Sequence, residues 1–167
     1  DDWFGRAAPV SQLLAAYGRV APVTRTDDSF RLRLPGMGLT DADWVDGRDD
    51  VGFVVAVVFV TTYDGFVGTG LWEVMARPLV EVGVPALVVY LAAMLAGYLL
   101  FLWVYLAAAR TARRTADTFL TAAELARRFA PSLLAIAAGY HLAHNLGTVL
   151  TVTSTVLPVL AAPLSPP

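Results

Sequence analysis

The chain has 167 residues, 57% of them hydrophobic and 16% charged, with a mean hydropathy of +0.61. Soluble domains carry about a quarter charged residues and about 45–50% apolar ones, so the departure is towards a membrane protein. The net charge of −2 gives no reason to expect a nucleic-acid partner, and the absence of cysteine excludes disulfides, thiolate metal sites and a cysteine nucleophile.

Charge is unevenly spread. Nine of the fourteen acids lie in the first fifty residues, and all twelve basic residues are Arg. The polar, acidic start DDWFGRAAPV has neither an initiator Met nor a signal pattern. The expectation is a piece of a longer protein.

Residues 1–50 read as a polar cytoplasmic or interfacial segment. Within it SQLLAAYGRV places Leu13, Leu14, Tyr17 and Val20 on one apolar face, which predicts a short amphipathic helix lying on the bilayer surface. Phe30, Arg31, Leu32, Arg33 and Leu34 alternate as a strand does, and Pro35-Gly36 breaks it. Trp44 fits an interfacial anchor.

Residues 51–161 form the expected transmembrane region, with spans at about 51–72, 85–109 and 131–155 and a tail at 162–167. The run VGFVVAVVFV is too short to cross alone, since a span needs about 20 residues. It must continue through TTYDGFVGTGLW, which carries Asp64 to roughly 20 Å from Val51. Gly65, Gly68 and Gly70 predict an unwound or re-entrant second half, or a turn at Asp64-Gly65 on the outer surface. Residues 73–83 read as a short connection. The second span holds no charge, and Ala93 with Gly97 makes a small-residue pair suited to close helix packing.

Arg110, Arg113, Arg114, Arg127 and Arg128 follow, whereas the opposite connection holds only Arg77. By the positive-inside rule residues 110–130 and 1–50 are cytoplasmic, in a multi-pass protein of the cell membrane. Thr121 and Glu124 form a capping-box pattern, which starts the third helix near Ala122. Pro131 should kink it, and Pro158 and Pro163 should limit its extent. The fold class expected is all-α: a polytopic bundle with three spans and a polar N-terminal region.

The third span carries the only two histidines. At 100° per residue His141, His144, Asn145 and Thr148 fall within about 100° of arc. Ala135, Gly139, Ala143 and Gly147 make a small-residue ridge on the opposite side, where another helix can approach. His141 lies about 15 Å along the helix from Pro131, near mid-membrane. Ionisable groups at that depth face a partner or a cavity, and Asp64 is the natural partner.

Three readings stay open. The histidines can be interhelical hydrogen-bonding residues in a structural subunit. Asp64, His141 and His144 can relay protons or pass an ion. They can also be catalytic and hold a divalent, zinc-like metal ion, although such sites want about three protein ligands and an open position. No nucleophile–base pattern and no phosphate-binding glycine loop is present. The partners expected are the lipid bilayer and further helices of the full-length protein or of another subunit.

Four stretches, WFGRAAPVSQLLAAYGRVAP (3–22), RLRLPG (31–36), TTYDGFVGTGLW (61–72) and SLLAIAAGYHLAHN (132–145), occur in this order. Together they resemble a family of multi-pass prokaryotic membrane proteins labelled fenitrothion hydrolase-like. Thr61, Asp64, Gly65, Phe66, Trp72, Gly139, Tyr140, His141 and His144 match its pattern; Asn145 stands where an aromatic residue is frequent. The resemblance implies an interior or C-terminal part of a larger bundle, with helices before residue 1 and a histidine-bearing segment after residue 167. It also implies hydrolysis of an organophosphate ester, with metal-bound water as the attacking group.

Overall fold

A computed structural model describes residues 9–26, 29–41, 44, 45 and 47–161. The polar start with Trp3 and the tail with Pro163 lie outside the described residues. The fold is an all-α bundle with one short hairpin, and three of its helices are long and apolar enough to cross a membrane.

Helix α1 spans Pro9–Val20. Proline suits its first position because that N–H would have no intrahelical partner anyway. Strands β1 (Val23–Thr26) and β2 (Ser29–Leu32) then pair antiparallel, with Val23 opposite Leu32. Gly36, at φ 83°, leads into a 3-10 turn, Met37–Leu39. Arg33 holds this region together. It donates to the Arg19 and Ala21 carbonyls at 3.3 and 3.4 Å and pairs with Asp41 at 3.4 Å. Trp44 packs under the Arg19 guanidinium at 5.1 Å and is half-buried.

Helix α2 spans Arg48–Val67. The Asp50 carboxylate accepts from the Gly47 N–H at 2.9 Å, and Asp49 and Asp50 lie in the first turn, where negative charge favours the helix dipole. Contrary to the expectation of unwinding, the helix runs unbroken through Gly65. The break comes at Gly68, and Thr69 caps the next helix by accepting from the Trp72 N–H. That helix, α3, covers Gly70–Glu81, where the sequence had suggested only a connection. Gly83, at φ 96°, turns the chain into α4, Ala86–Thr115. An L side chain rarely adopts that φ, so glycine suits the turn.

Helix α5 spans Ala122–Ala161. The Thr121 hydroxyl accepts from the Glu124 N–H at 3.2 Å, as the capping pattern predicts. The helix continues through Pro131 and Pro158, so neither proline ends it.

Helix α2 is the centre of the bundle. Val54 and Val55 are fully buried, as is Leu134 of α5. Ala16 and Leu39, from the first fifty residues, share this core with Val51 and Ala130. Tyrosine hydroxyls tie the spans to one another: Tyr98 donates to the Gly52 carbonyl at 3.2 Å, Tyr63 to Tyr90 at 2.8 Å and Tyr105 to Ala126 at 2.6 Å. These pairings set α4 antiparallel to both α2 and α5. At Gly97 a Cβ would meet the Phe59 ring at 2.9 Å, so the close approach expected of the Ala93–Gly97 pair occurs there.

Two faces expected to make apolar contacts are largely open within this chain. In α1, Ala16 turns inward while Leu13 and Leu14 are exposed, and the helix packs on the bundle. In α5, the face that packs is Ala126, Ala130, Leu134 and Ala137. The Ala135–Gly139–Ala143–Gly147 ridge is exposed within this chain. Both apolar stripes have helical period, and packing against α2 selects between them.

Candidate functional site

The buried stripe of α5 leads directly to the histidines. From Ala130, Leu134 and Ala137 the next position on that face is His141, and His144 and Thr148 follow it. The polar stripe therefore continues the packing face rather than opposing it. Here the helices part, leaving a cavity of about 330 Å³ between α2, α4 and α5.

Asp64, His141 and His144 all line this cavity, together with Asn145. Asp64 stands on the last turns of α2, because that helix does not unwind at Gly65. Thr61 and Tyr63 of α2 and Tyr90 and Met94 of α4 complete most of the wall. The Thr61 hydroxyl donates to the Val58 carbonyl at 2.8 Å. The Tyr63 hydroxyl is committed to Tyr90, and its ring meets Trp72 edge-on at 6.0 Å. Trp72 is thus a packing residue of the aromatic cluster that roofs this end. Asp64, His141, His144 and Asn145 are exposed, so the cavity opens at the surface of the bundle.

Two contacts orient the imidazoles, and a third holds Asn145. The Tyr17 hydroxyl of α1 lies 3.1 Å from His141 Nδ1, with the rings edge-to-face at 5.8 Å. Burial pushes the Tyr17 pKa up, so its proton is retained. That hydroxyl can donate to a bare Nδ1 or accept from a protonated one. Tyr140 stacks on His144 with 9° between the ring planes and 5.8 Å between centroids. Asn145 donates to the His141 carbonyl at 2.8 Å, which holds the amide against its own helix. Gly65 lies against Tyr140: a Cβ there would meet that hydroxyl, the far end of an exposed side chain.

Among the described residues no three His, Asp or Glu side chains are grouped to hold a metal ion. The metal expected at Asp64, His141 and His144 would thus need ligands beyond these three as they stand. They share one cavity.

Tyr17 is the site residue that sequence reasoning missed. Its position on the amphipathic face pointed to the bilayer, and only the docking of α1 on α5 brings it to His141. Tyr90 and Met94 were equally hidden in an uncharged span. Comparisons with family models, with curated proteins and with solved structures gave no match.

Proposed function

We propose that the chain is the proton-handling part of a multi-pass membrane transporter, with Asp64, His141 and His144 relaying protons through the bundle. The observation that supports this reading is that one carboxylate and two imidazoles, from distant segments, open onto a single cavity. Ionised groups at bilayer depth cost about 2.5–3.5 kcal/mol on insertion scales, and a merely structural role would not need three of them. Imidazole exchanges protons near physiological pH. The Tyr17 hydroxyl can bond His141 in either protonation state, so His141 keeps its position while its proton moves. The cavity's open side suits cover by further helices, from the rest of the protein or from another subunit, because polar surface at membrane depth must face protein or water.

Orientation follows the arginines. Residues 110–130 face the cytoplasm, with five Arg at 110–128 against Arg77 on the other side, and α1 reaches from that side to His141 through Tyr17. The test is proton flux into proteoliposomes holding the full-length protein, read by an internal pH dye. Flux is expected in the wild type and should be lost in Asp64→Asn. Undiminished flux in that variant rejects the relay.

The second reading is a phosphoester hydrolase of the fenitrothion hydrolase-like type. The matches at Thr61, Asp64, Gly65, Tyr140, His141 and His144 favour it. It requires metal ligands from outside the described residues, and metal analysis of the purified full-length protein decides it.

A further inference from the structure

We propose that a second cavity, at the arginine-bearing end of the bundle, binds a membrane phospholipid with an anionic headgroup. The cavity is about 520 Å³ and lies where the start of α2, the end of α4 and the start of α5 diverge. Val51, Leu102, Leu106 and Ala126 give it apolar walls, and Arg110 and Arg127 stand among the lining residues. This volume is in the range of sites that hold small molecules, about 300–1,000 Å³.

Position and charge identify the occupant. Arg110 is the first charged residue after the uncharged run 85–109, so it sits where hydrocarbon gives way to headgroups. Among the described residues Arg110, Arg113 and Arg114 have no ion-pair partner. The nearby acids are partly committed: Glu124 pairs with Arg128 at 3.5 Å, and Asp50 accepts from Gly47. The connection 110–130 itself carries five Arg against only Asp117 and Glu124. Guanidinium groups bind phosphate oxygens through paired hydrogen bonds, and basic pockets between membrane helices suit acidic lipid headgroups. A free phosphate would satisfy Arg110 and leave the Leu102–Leu106 wall uncovered. A phospholipid satisfies both, with its phosphate at Arg110 and Arg127 and the start of an acyl chain along the leucines. The site is independent of what the Asp64 cavity does.

The experiment is lipid retention by the purified full-length protein, read by native mass spectrometry after titration with phosphatidylglycerol or phosphatidylcholine of the same chains. Phosphatidylglycerol should be retained in preference. In Arg110→Ala/Arg127→Ala that retention should fall about tenfold or more, as expected for losing two charge-assisted contacts. Leu106→Trp fills the cavity without changing charge and should lower retention too. Arg113→Ala/Arg114→Ala removes the same charge outside the cavity and should leave retention intact. Equal retention of the two lipids overturns the proposal, as does equal loss in both arginine pairs, which would mean diffuse electrostatic attraction. Full displacement by inorganic phosphate would also overturn it, in favour of a free-phosphate site. If Leu106→Trp fails to fold, the two arginine pairs decide the matter alone.

Discussion

The hydroxyl of Tyr17 and the missing side chain of Gly65 lie against two residues that line the cavity, His141 and Tyr140. Tyr17→Phe keeps the edge-to-face ring contact with His141 and deletes only the hydrogen bond. Its cost should be about 0.5–1.5 kcal/mol, seen as a small drop in thermal stability in detergent. The more specific readout is nitrogen NMR of the His141 ring, where the proton distribution between Nδ1 and Nε2 should change. Gly65→Ala should displace the exposed Tyr140 ring, because its new methyl meets that hydroxyl, while helix propensity favours Ala by about 0.5–1 kcal/mol. Tyr140→Phe removes that hydroxyl, so Gly65→Ala should stabilise more in its background than alone, read by thermal unfolding. Additive effects would show that the two positions do not touch. Asp64 was legible in the sequence as a charge near a span, but not its facing. The three glycines after Thr62 argued for unwinding, and the helix that runs through Gly65 is what turns Asp64 to the cavity.

At the scale of elements, the seam between α2 and α5 holds the bundle. Leu134 is fully buried there, whereas Leu142, two turns on, is 70% exposed. Leu134→Ala should cost about 2–5 kcal/mol, as deletions that leave a core cavity do, and Leu142→Ala should stay within about 0.5 kcal/mol. Comparable losses in chemical unfolding of the two variants would mean that the exposed face is also packed. Helix α3 shows where local reading fell short. Glu73, Arg77 and Glu81 mark one side and Leu71, Val74 and Met75 the other, with Glu73 and Arg77 paired. That pattern was present in the sequence, but Gly68, Gly70 and Pro78 obscured it. Pro78 leaves the Val74 carbonyl without its helical donor, yet the helix continues to Glu81.

For the whole molecule, the order of hydrogen-bonded pairs fixes an up-down-up bundle. Gly52 meets Tyr98 and Tyr63 meets Tyr90, while Ala126 meets Tyr105. The loop around Thr118 and helix α3 are therefore at opposite ends. These 167 residues contain no cysteine, so thiols introduced here one at a time report the sidedness of their own positions. Thr118→Cys and Ala76→Cys should label from opposite sides of the membrane with an impermeant reagent. Labelling from the same side would break the topology and, with it, the cytoplasmic assignment of residues 110–130.

Hydrophobic length, charge and capping are local properties, so the sequence by itself determined the membrane class, the number of spans, the start of α5 at Ala122 and the arginine-bearing end. It also isolated Asp64, His141 and His144, because ionisable residues stand out against an apolar run. Tertiary structure alone decided which stripe of α5 packs, that His141 continues that stripe, and that Tyr17 reaches it. The physical reason is that helical periodicity offers several faces with similar local merit. The choice between them rests on contacts with segments more than a hundred residues away, such as that of Tyr17 with His141.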